Sequence, residues 1–470
     1  MYKFEVKRYK GVPSLILNGK PTLGWVSGPK LEKRFQKCFP EHIYMMTISS
    51  ILDIDYFALD RDIEKLLQKD KDAYILFNVK IDQMPSWWLK KYPEELILYD
   101  DGSKETFPSL ASEIWKKDAG EAVKNLTHHL KEKYDKHFLG YYFGWGIYGE
   151  WNYYGEPDKN DWRCPDFSPA MVKGFRKWLR KKYQNDVTLL RKSWGNKKVN
   201  FNNAKVPGRI ERFYSDLGVF KNPSGNKQVS DYYLYIGELA ADILIYFCKI
   251  VKEETKNTVI CGGGYGGLMD AGLTAYLYIS FTTALGLKKV LDSPYVDFLS
   301  TPYSYFSREV GIGDCSYMGV TESWKLHNKL RMGDNDTRTC LAPPEQKVFG
   351  RPDSIKDSVE ILKRDFGQHL VRASCGWWAW GNTDWFDHPS LIKTLSKLHK
   401  IGNLSLNYER RFTGGIAMIV DTESLLFLRM ANNLVYRMLY RQRMDEFGRV
   451  GTPWDVYPVS YTHLTLPTKA

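Results

Sequence analysis

The run Phe138–Trp151, FLGYYFGWGIYGEW, sets one acid, Glu150, behind a strand-like apolar segment and among rings and glycines. From Tyr141 to Gly155 the window holds eight aromatic residues, four glycines and that single carboxylate. A strand buried on both faces would not carry the acid, and a solvated loop would not carry the rings. The pattern predicts a buried parallel strand, FLGYYFGW, ending in a loop, GIYGEW, that delivers Glu150 to a site.

Short apolar runs and amphipathic helical stretches alternate on both sides of this segment, which argues for βα units and a parallel sheet. KPTLGWV, HIYMMTIS and AYILFNVKI precede it as strand candidates; TVICGGGYGG, VDFLSTPYSY, NKLRMGDNDTRT and CGWWAWGNT follow it. ALDRDIEKLLQKD and SPAMVKGFRKWLRKKY read as helices, the second with Ser168 as N-cap and Pro169 at its first position. The long stretch SLASEIWKKDAGEAVKNLTHHLKEKYD reads as a helix broken near Gly120. Eight strands with intervening helices describe an α/β fold, a (β/α)8 TIM barrel, with chemistry expected at the C-terminal strand ends. The glycine run CGGGYGG lacks the GK[ST] ending of a phosphate loop, so its glycines are read as allowing close backbone approach.

Three spans follow: a barrel over 1–405, an incomplete α/β domain over 406–457 opened by GGIAMIVDTESLLFLR, and a tail over 458–470 that breaks the pattern. That tail resembles translated adapter sequence, which makes a C-terminally truncated chain the expectation.

Composition narrows the function classes. Aromatic content is 15%, with 15 Trp, 31 Tyr and 23 Phe, and flat rings with a polar handle suit sugar faces. The net charge of +12 comes from Lys and Arg interspersed with Glu and Asp. No like-charge block resembles a nucleic-acid arm, so no nucleic-acid partner is expected. The seven cysteines are widely spaced without a CxxC pair, which points away from a zinc site and towards free thiols. No secretory leader or apolar run long enough for a membrane appears; a cytoplasmic protein without membrane partner, metal or organic cofactor is expected.

Glycoside hydrolysis needs two carboxyl groups flanking the scissile bond. Glu150 fits the acid, since Trp145, Tyr148, Trp151, Tyr153 and Tyr154 around it would favour the neutral form. The competing reading is a structural Glu paired with an Arg on the barrel rim. For the second carboxylate NKLRMGDNDTRT offers Asp334 and Asp336, with Arg338 at hand to hold a carboxylate charged. A capped turn would also use those residues. Glu322 in MGVTESWKLH is the rival to Asp334. Trp87, Trp88, Trp377, Trp378, Trp380 and Trp385 are candidates for a sugar platform, and Tyr305 and Arg308 for binding hydroxyls or orienting a carboxylate.

At these residues the chain resembles the β-galactosidases of glycoside hydrolase family 42. MPSWWLKKYPEELILYDDG, FGWGIYGEW, FRKWLRKKYQNDVTLLRKSWG and the segment from Gly415 through VGTPWDVY carry the resemblance. It implies a retaining β-galactosidase-like enzyme with Glu150 as acid/base and Asp334 at the nucleophile position. Trp88, Trp145, Trp151, Tyr305, Arg308, Asp336, Arg338 and Trp378 would then contact substrate. It also implies a carbohydrate substrate and, for a full-length form, a homotrimer built through the domain beginning near 406. Two departures stand out. Gly149 occupies a position where the wider clan carries Asn, and Asp334 a position where related chains carry Glu. Asp is shorter by one methylene, and misplacement by about 1 Å can cost around 100-fold, so an impaired, carbohydrate-binding barrel is the alternative.

Overall fold

A computed structural model describes residues 2–153, 163–215, 217–218, 220–223, 227–270, 283–305, 308–311, 313, 317–378, 383–411, 415–427 and 446–458. Eight parallel strands close into a barrel in chain order. They are β1 Trp25–Ser27, β2 Ile43–Ile48, β3 Tyr74–Lys80, β4 Phe138–Gly144, β5 Ile260–Gly263, β6 Phe298–Pro302, β7 Leu330–Asp334 and β8 Cys375–Trp377. Closure is by Gly376 and Trp377 of β8 pairing with Trp25 and Val26 of β1. The expected (β/α)8 barrel is therefore present.

The helices follow the sequence pattern. α1 Tyr56–Lys69 is capped by Asp55, whose side chain accepts from the Ala58 N–H at 3.0 Å. α2 spans Glu113–Tyr134 without the break expected at Gly120. The glycine serves packing instead: a Cβ there would lie 2.3 Å from the Tyr246 hydroxyl of α4 Lys227–Glu254. Between them, α3 Pro169–Lys182 starts at Ser168, whose hydroxyl accepts from the Met171 N–H. α5 Thr321–Leu326 precedes β7, α6 Ile355–Arg372 precedes β8, and α7 Pro389–Ser405 ends the barrel.

The segment KPTLGWV divides into two elements. Lys20–Thr22 joins Phe4–Tyr9 and Val12–Leu17 in an antiparallel meander, and β1 begins only at Trp25. After α7, β9 Ile416–Val420 and β10 Trp454–Pro458 pair in parallel. Leu425, Leu426, Trp454 and Val456 join the main hydrophobic core, so this piece shares the barrel's core. No helix among the described residues is long and apolar enough to cross a membrane.

Candidate active site

The β4 strand sorts its rings by face. Tyr141 reaches the Thr127 hydroxyl of α2, and Phe143 packs on Phe247 of α4, so both point to the helical layer. Tyr142 points the other way, towards Phe298 of β6, in the barrel interior. Past Gly144 the chain coils tightly. Gly146, Tyr148, Gly149 and Trp151 have positive φ of 73°, 56°, 79° and 58°. For Tyr148 and Trp151 this is an uncommon, strained conformation of the kind that clusters at functional sites. Backbone bonds hold the coil: Ile147 N–H donates to Asn152 O at 3.0 Å, and Trp151 N–H to Trp145 O at 2.8 Å. Asp82 anchors it from beside β3, its carboxylate accepting from the Gly146 N–H at 2.6 Å.

This coil answers why one acid sits among so many rings. Trp145, Trp151 and Tyr153 are buried beneath the loop and pack on one another, with centroids 6.1 Å and 5.1 Å apart. The Trp151 indole N–H donates to Phe143 O at 3.0 Å. These rings form the floor that holds Glu150 at the mouth. Tyr148, in contrast, is 84% exposed. The glycines at the end of β5 make room for the same loop, because a Cβ on Gly264 would lie 2.5 Å from the Tyr142 hydroxyl and 2.8 Å from Gly149 O.

Asp334 ends β7, on the opposite side of the mouth. Its Oδ1 is buried and meets no hydrogen-bond partner among the described residues. Burial pushes its carboxyl well above the ordinary carboxylate range, and the negative charges of Asp336 and Glu150 add to the push. Arg308 and Arg338 counter it only in part. Glu150 and Asp334, 184 residues apart in the chain, thus act on each other electrostatically. Tyr142 and Tyr305 feel both: burial is the main cause that pushes each phenol up, and Asp334 and Glu150 add to it, after Asp336 and against Arg308 in the case of Tyr305.

Asp336 has the opposite environment. Arg308 donates to its Oδ2 at 2.9 Å, Tyr305 donates to the same oxygen at 2.9 Å, and Arg338 pairs with its Oδ1. Although burial alone would raise it, the two guanidinium groups hold its carboxyl down at about 2. The Arg308 guanidinium also lies 3.6 Å from the Tyr305 ring centroid and donates to Tyr303 O. Tyr305, Arg308, Asp336 and Arg338 therefore form one ionic cluster that ties the loops after β6 and β7 together. The carboxylate that Arg338 holds charged is Asp336, not Asp334.

The other candidates lie elsewhere. Glu322, on α5, is 2% exposed and pairs with Arg372 of α6, while the Val456 N–H of β10 donates to it at 3.4 Å. Its carboxylate serves the junction between barrel and C-terminal strands, away from the mouth. Trp88 sits on the short helix Ser86–Lys91, fully buried, its indole N–H donating to Asp118 at 3.0 Å. Its neighbour Trp87 is 51% exposed. Trp378 is buried against His369 and Trp25, at 5.9 Å and 4.9 Å. Trp385 packs at the edge of that same minor core. The Trp377 side chain, Trp380 and Tyr154 lie outside the described residues. Two residues were not anticipated from sequence. Tyr142 was hidden in an unbroken aromatic strand. Lys80, at the C-terminal end of β3, donates to Tyr148 O at 3.2 Å.

Among the described residues no group of three or more His, Cys, Asp or Glu side chains could hold a metal ion. Residues 52–266 match the model of the glycoside hydrolase family 42, described as β-galactosidase. That span contains Glu150 and ends before Asp334. No curated protein matches the chain in sequence. Among solved structures, the cold-adapted β-galactosidase of Rahnella sp. R3 superposes with a TM-score of 0.61 at 13% identity, covering 93% of this chain and 65% of its own. The β-galactosidase of the psychrophilic Marinomonas ef1 gives 0.56 at 11% identity, over 92% and 69%. The catalytic domain of β-amylase from Paenibacillus polymyxa gives 0.57 at 12% identity, over 80% and 98%. At such identities the likeness is one of fold, and the chain spans about two thirds of the length of the two β-galactosidases.

Proposed function

We propose that this barrel, whose residues 52–266 match the model of glycoside hydrolase family 42, is a retaining hydrolase of β-linked sugars, galactosides first. Glu150 protonates the glycosidic oxygen as the bond to the leaving group breaks. Asp334 attacks the anomeric carbon, giving a covalent glycosyl-enzyme. Glu150 then takes a proton from water, and the resulting hydroxide displaces Asp334 with net retention.

The observation that carries this reading is the placing of two carboxyl groups past the C-terminal ends of barrel strands, Glu150 in the loop after β4 and Asp334 at the end of β7 with a buried oxygen that has no hydrogen-bond partner among the described residues. The burial of Asp334 also fits a site that awaits a ligand, because its buried Oδ1 has no hydrogen-bond partner among the described residues and Arg308 and Arg338 offset the cost of ionisation only in part. In the reactive complex Glu150 is protonated, and that part of the penalty disappears.

The test is hydrolysis of aryl β-glycosides with unactivated leaving groups, phenyl rather than nitrophenyl, by the wild type, Glu150→Gln and Asp334→Asn, with the anomer of the first product read by NMR. Activity in the wild type, its loss in both variants and a β product support the proposal. Full activity in either variant sinks the assignment, and an α product means inversion. One observation favours a second reading: ionisation of Asp334 is opposed by burial, as in a barrel that binds sugar without cleaving it. Sugar binding by calorimetry without aryl release would establish that reading.

The resemblance extends to assembly and setting. Residues 406–457 would belong to a trimer-forming domain, which light scattering of a longer form would test. The six described cysteines are free thiols, in keeping with a cytoplasmic setting.

A further inference from the structure

Lys80 occupies an unusual place. Its ammonium stands where the side chain of residue 149 would begin: a Cβ on Gly149 would lie 2.3 Å from Nζ, and one on Gly144 3.3 Å. The residue before the acid is thus glycine, and a cation from the neighbouring strand fills the space in front of it. Gly149 also has φ of 79°, a conformation glycine adopts freely.

Only one of the three ammonium N–H groups has a protein acceptor among the described residues, the Tyr148 carbonyl at 3.2 Å. Burial disfavours its charge, while Asp82 and Glu150 favour it. Asp82 is itself committed to the Gly146 N–H. The ammonium is thus anchored to the acid-bearing loop, held beside Glu150 and left with donors for something that enters the mouth.

We propose that Lys80 binds the sugar hydroxyl on the carbon next to the anomeric centre. This rests on the hydrolase reading above. With Glu150 at the glycosidic oxygen and Asp334 approaching the anomeric carbon from across the barrel, a donor adjoining Glu150 on the β3 side reaches the substituent one carbon away. A charge-assisted bond there discriminates by about 10- to 100-fold against a substrate lacking that hydroxyl, because the ammonium is then left partly unpaired in a half-buried place. The same bond positions the sugar, while the Tyr148 carbonyl keeps Lys80 in register with the acid.

The experiment compares kcat/KM for an aryl β-galactoside and its 2-deoxy counterpart on the wild type and Lys80→Met. The expected wild-type ratio is about 10 to 100, collapsing towards one in the variant. Lys80→Gln, which keeps two amide donors without the charge, should fall between. A variant ratio equal to that of the wild type overturns the assignment to Lys80 and leaves the hydrolase reading intact. A wild type that cleaves neither substrate overturns both. Should Lys80→Met fail to give a cooperative thermal transition, Lys80→Gln carries the comparison under the same criteria.

Discussion

Asp334 and Asp336 lie two residues apart at the end of one strand and have opposite surroundings. Asp336 is enclosed by two guanidinium groups and a phenol, and its carboxyl is held down at about 2. Asp334 has a buried oxygen without a described partner, and its carboxyl is pushed up. A charge whose hydrogen-bonding capacity is met by its own chain stabilises a scaffold. One left unmet costs stability unless a ligand or a reaction uses it. On the proposal that Asp334 is the nucleophile, the contrast divides the aspartates of NKLRMGDNDTRT into a reactive group and a clamp.

The largest effect expected from this division is at Asp334. Asp334→Asn should lower kcat for an aryl β-galactoside by about 10⁴-fold, since the variant lacks the attacking carboxylate. Its stability should not fall. The folded pKa of Asp334 lies above its unfolded value, so ionising it opposes folding at pH 7; below about pH 4 both states are protonated and the penalty vanishes. The variant should therefore melt at or above the wild-type temperature at pH 7 and show no such gain near pH 3. A clear drop in melting temperature at pH 7 would mean that Asp334 is structural.

Asp336→Asn should behave in reverse. It leaves Arg308 and Arg338, both under 10% exposed, facing each other without the carboxylate between them. Removing one partner of such a buried set costs about 3 to 5 kcal/mol, readable in urea unfolding at pH 7. The wild type carries a related signature. The Asp336 pKa near 2 lies below its ordinary value, so its contribution is complete above about pH 4 and lost as pH falls towards 2. That shift is worth about 2 to 3 kcal/mol. A cost below about 1 kcal/mol in the variant would remove the distinction between clamp and reactive group.

A smaller effect links the two sides of the mouth. Glu150's negative charge helps push Asp334 up. With an activated aryl glycoside, whose departure needs no protonation, Glu150→Gln should retain a measurable glycosylation step. The acid limb of its kcat/KM profile should lie at lower pH than that of the wild type. An unmoved limb would show that the two groups do not sense each other across the barrel.

Much of this was legible in the sequence because the βα alternation is regular. The strands AYILFNVKI, FLGYYFGW, VDFLSTPYSY and NKLRMGDNDTRT were read one to five residues too long at their C-terminal ends, since β3, β4, β6 and β7 stop at Lys80, Gly144, Pro302 and Asp334, yet their order was enough to set Glu150 and Asp334 at strand ends. What could not be read was direction. Trp145 and Trp151 are in the right loop, but left-handed backbone at Gly146, Tyr148, Gly149 and Trp151 turns their rings beneath it, and no periodicity encodes such a coil. Trp88 follows a strand yet belongs to a helix, whose inner face buries it. Glu322 was ambiguous because its partners, Arg372 and the β10 backbone, lie 50 and 134 residues away. Nothing in AYILFNVKI marks Lys80, because its position gains meaning only from Gly149, which comes beside it through the fold.

The smallest expected effect separates rings that hold the loop from the ring that meets ligand. Tyr148 is 84% exposed beside Glu150, whereas Trp145 in the same coil is fully buried. Tyr148→Ala keeps a Cβ at the same positive φ, so it adds no backbone strain and should change stability by no more than about 0.5 kcal/mol. Its ring can still offer a face to the leaving group, worth about 0.5 to 1.5 kcal/mol. KM for an aryl galactoside should therefore rise about 2- to 10-fold with kcat little changed, which is the mark of uniform binding lost. Trp145→Ala should do the opposite, costing about 3 to 5 kcal/mol of stability through the cavity it opens beneath the loop. If Tyr148→Ala instead destabilises the protein while leaving KM alone, the ring braces the coil, and the exposed face of the mouth has to be sought at Trp87.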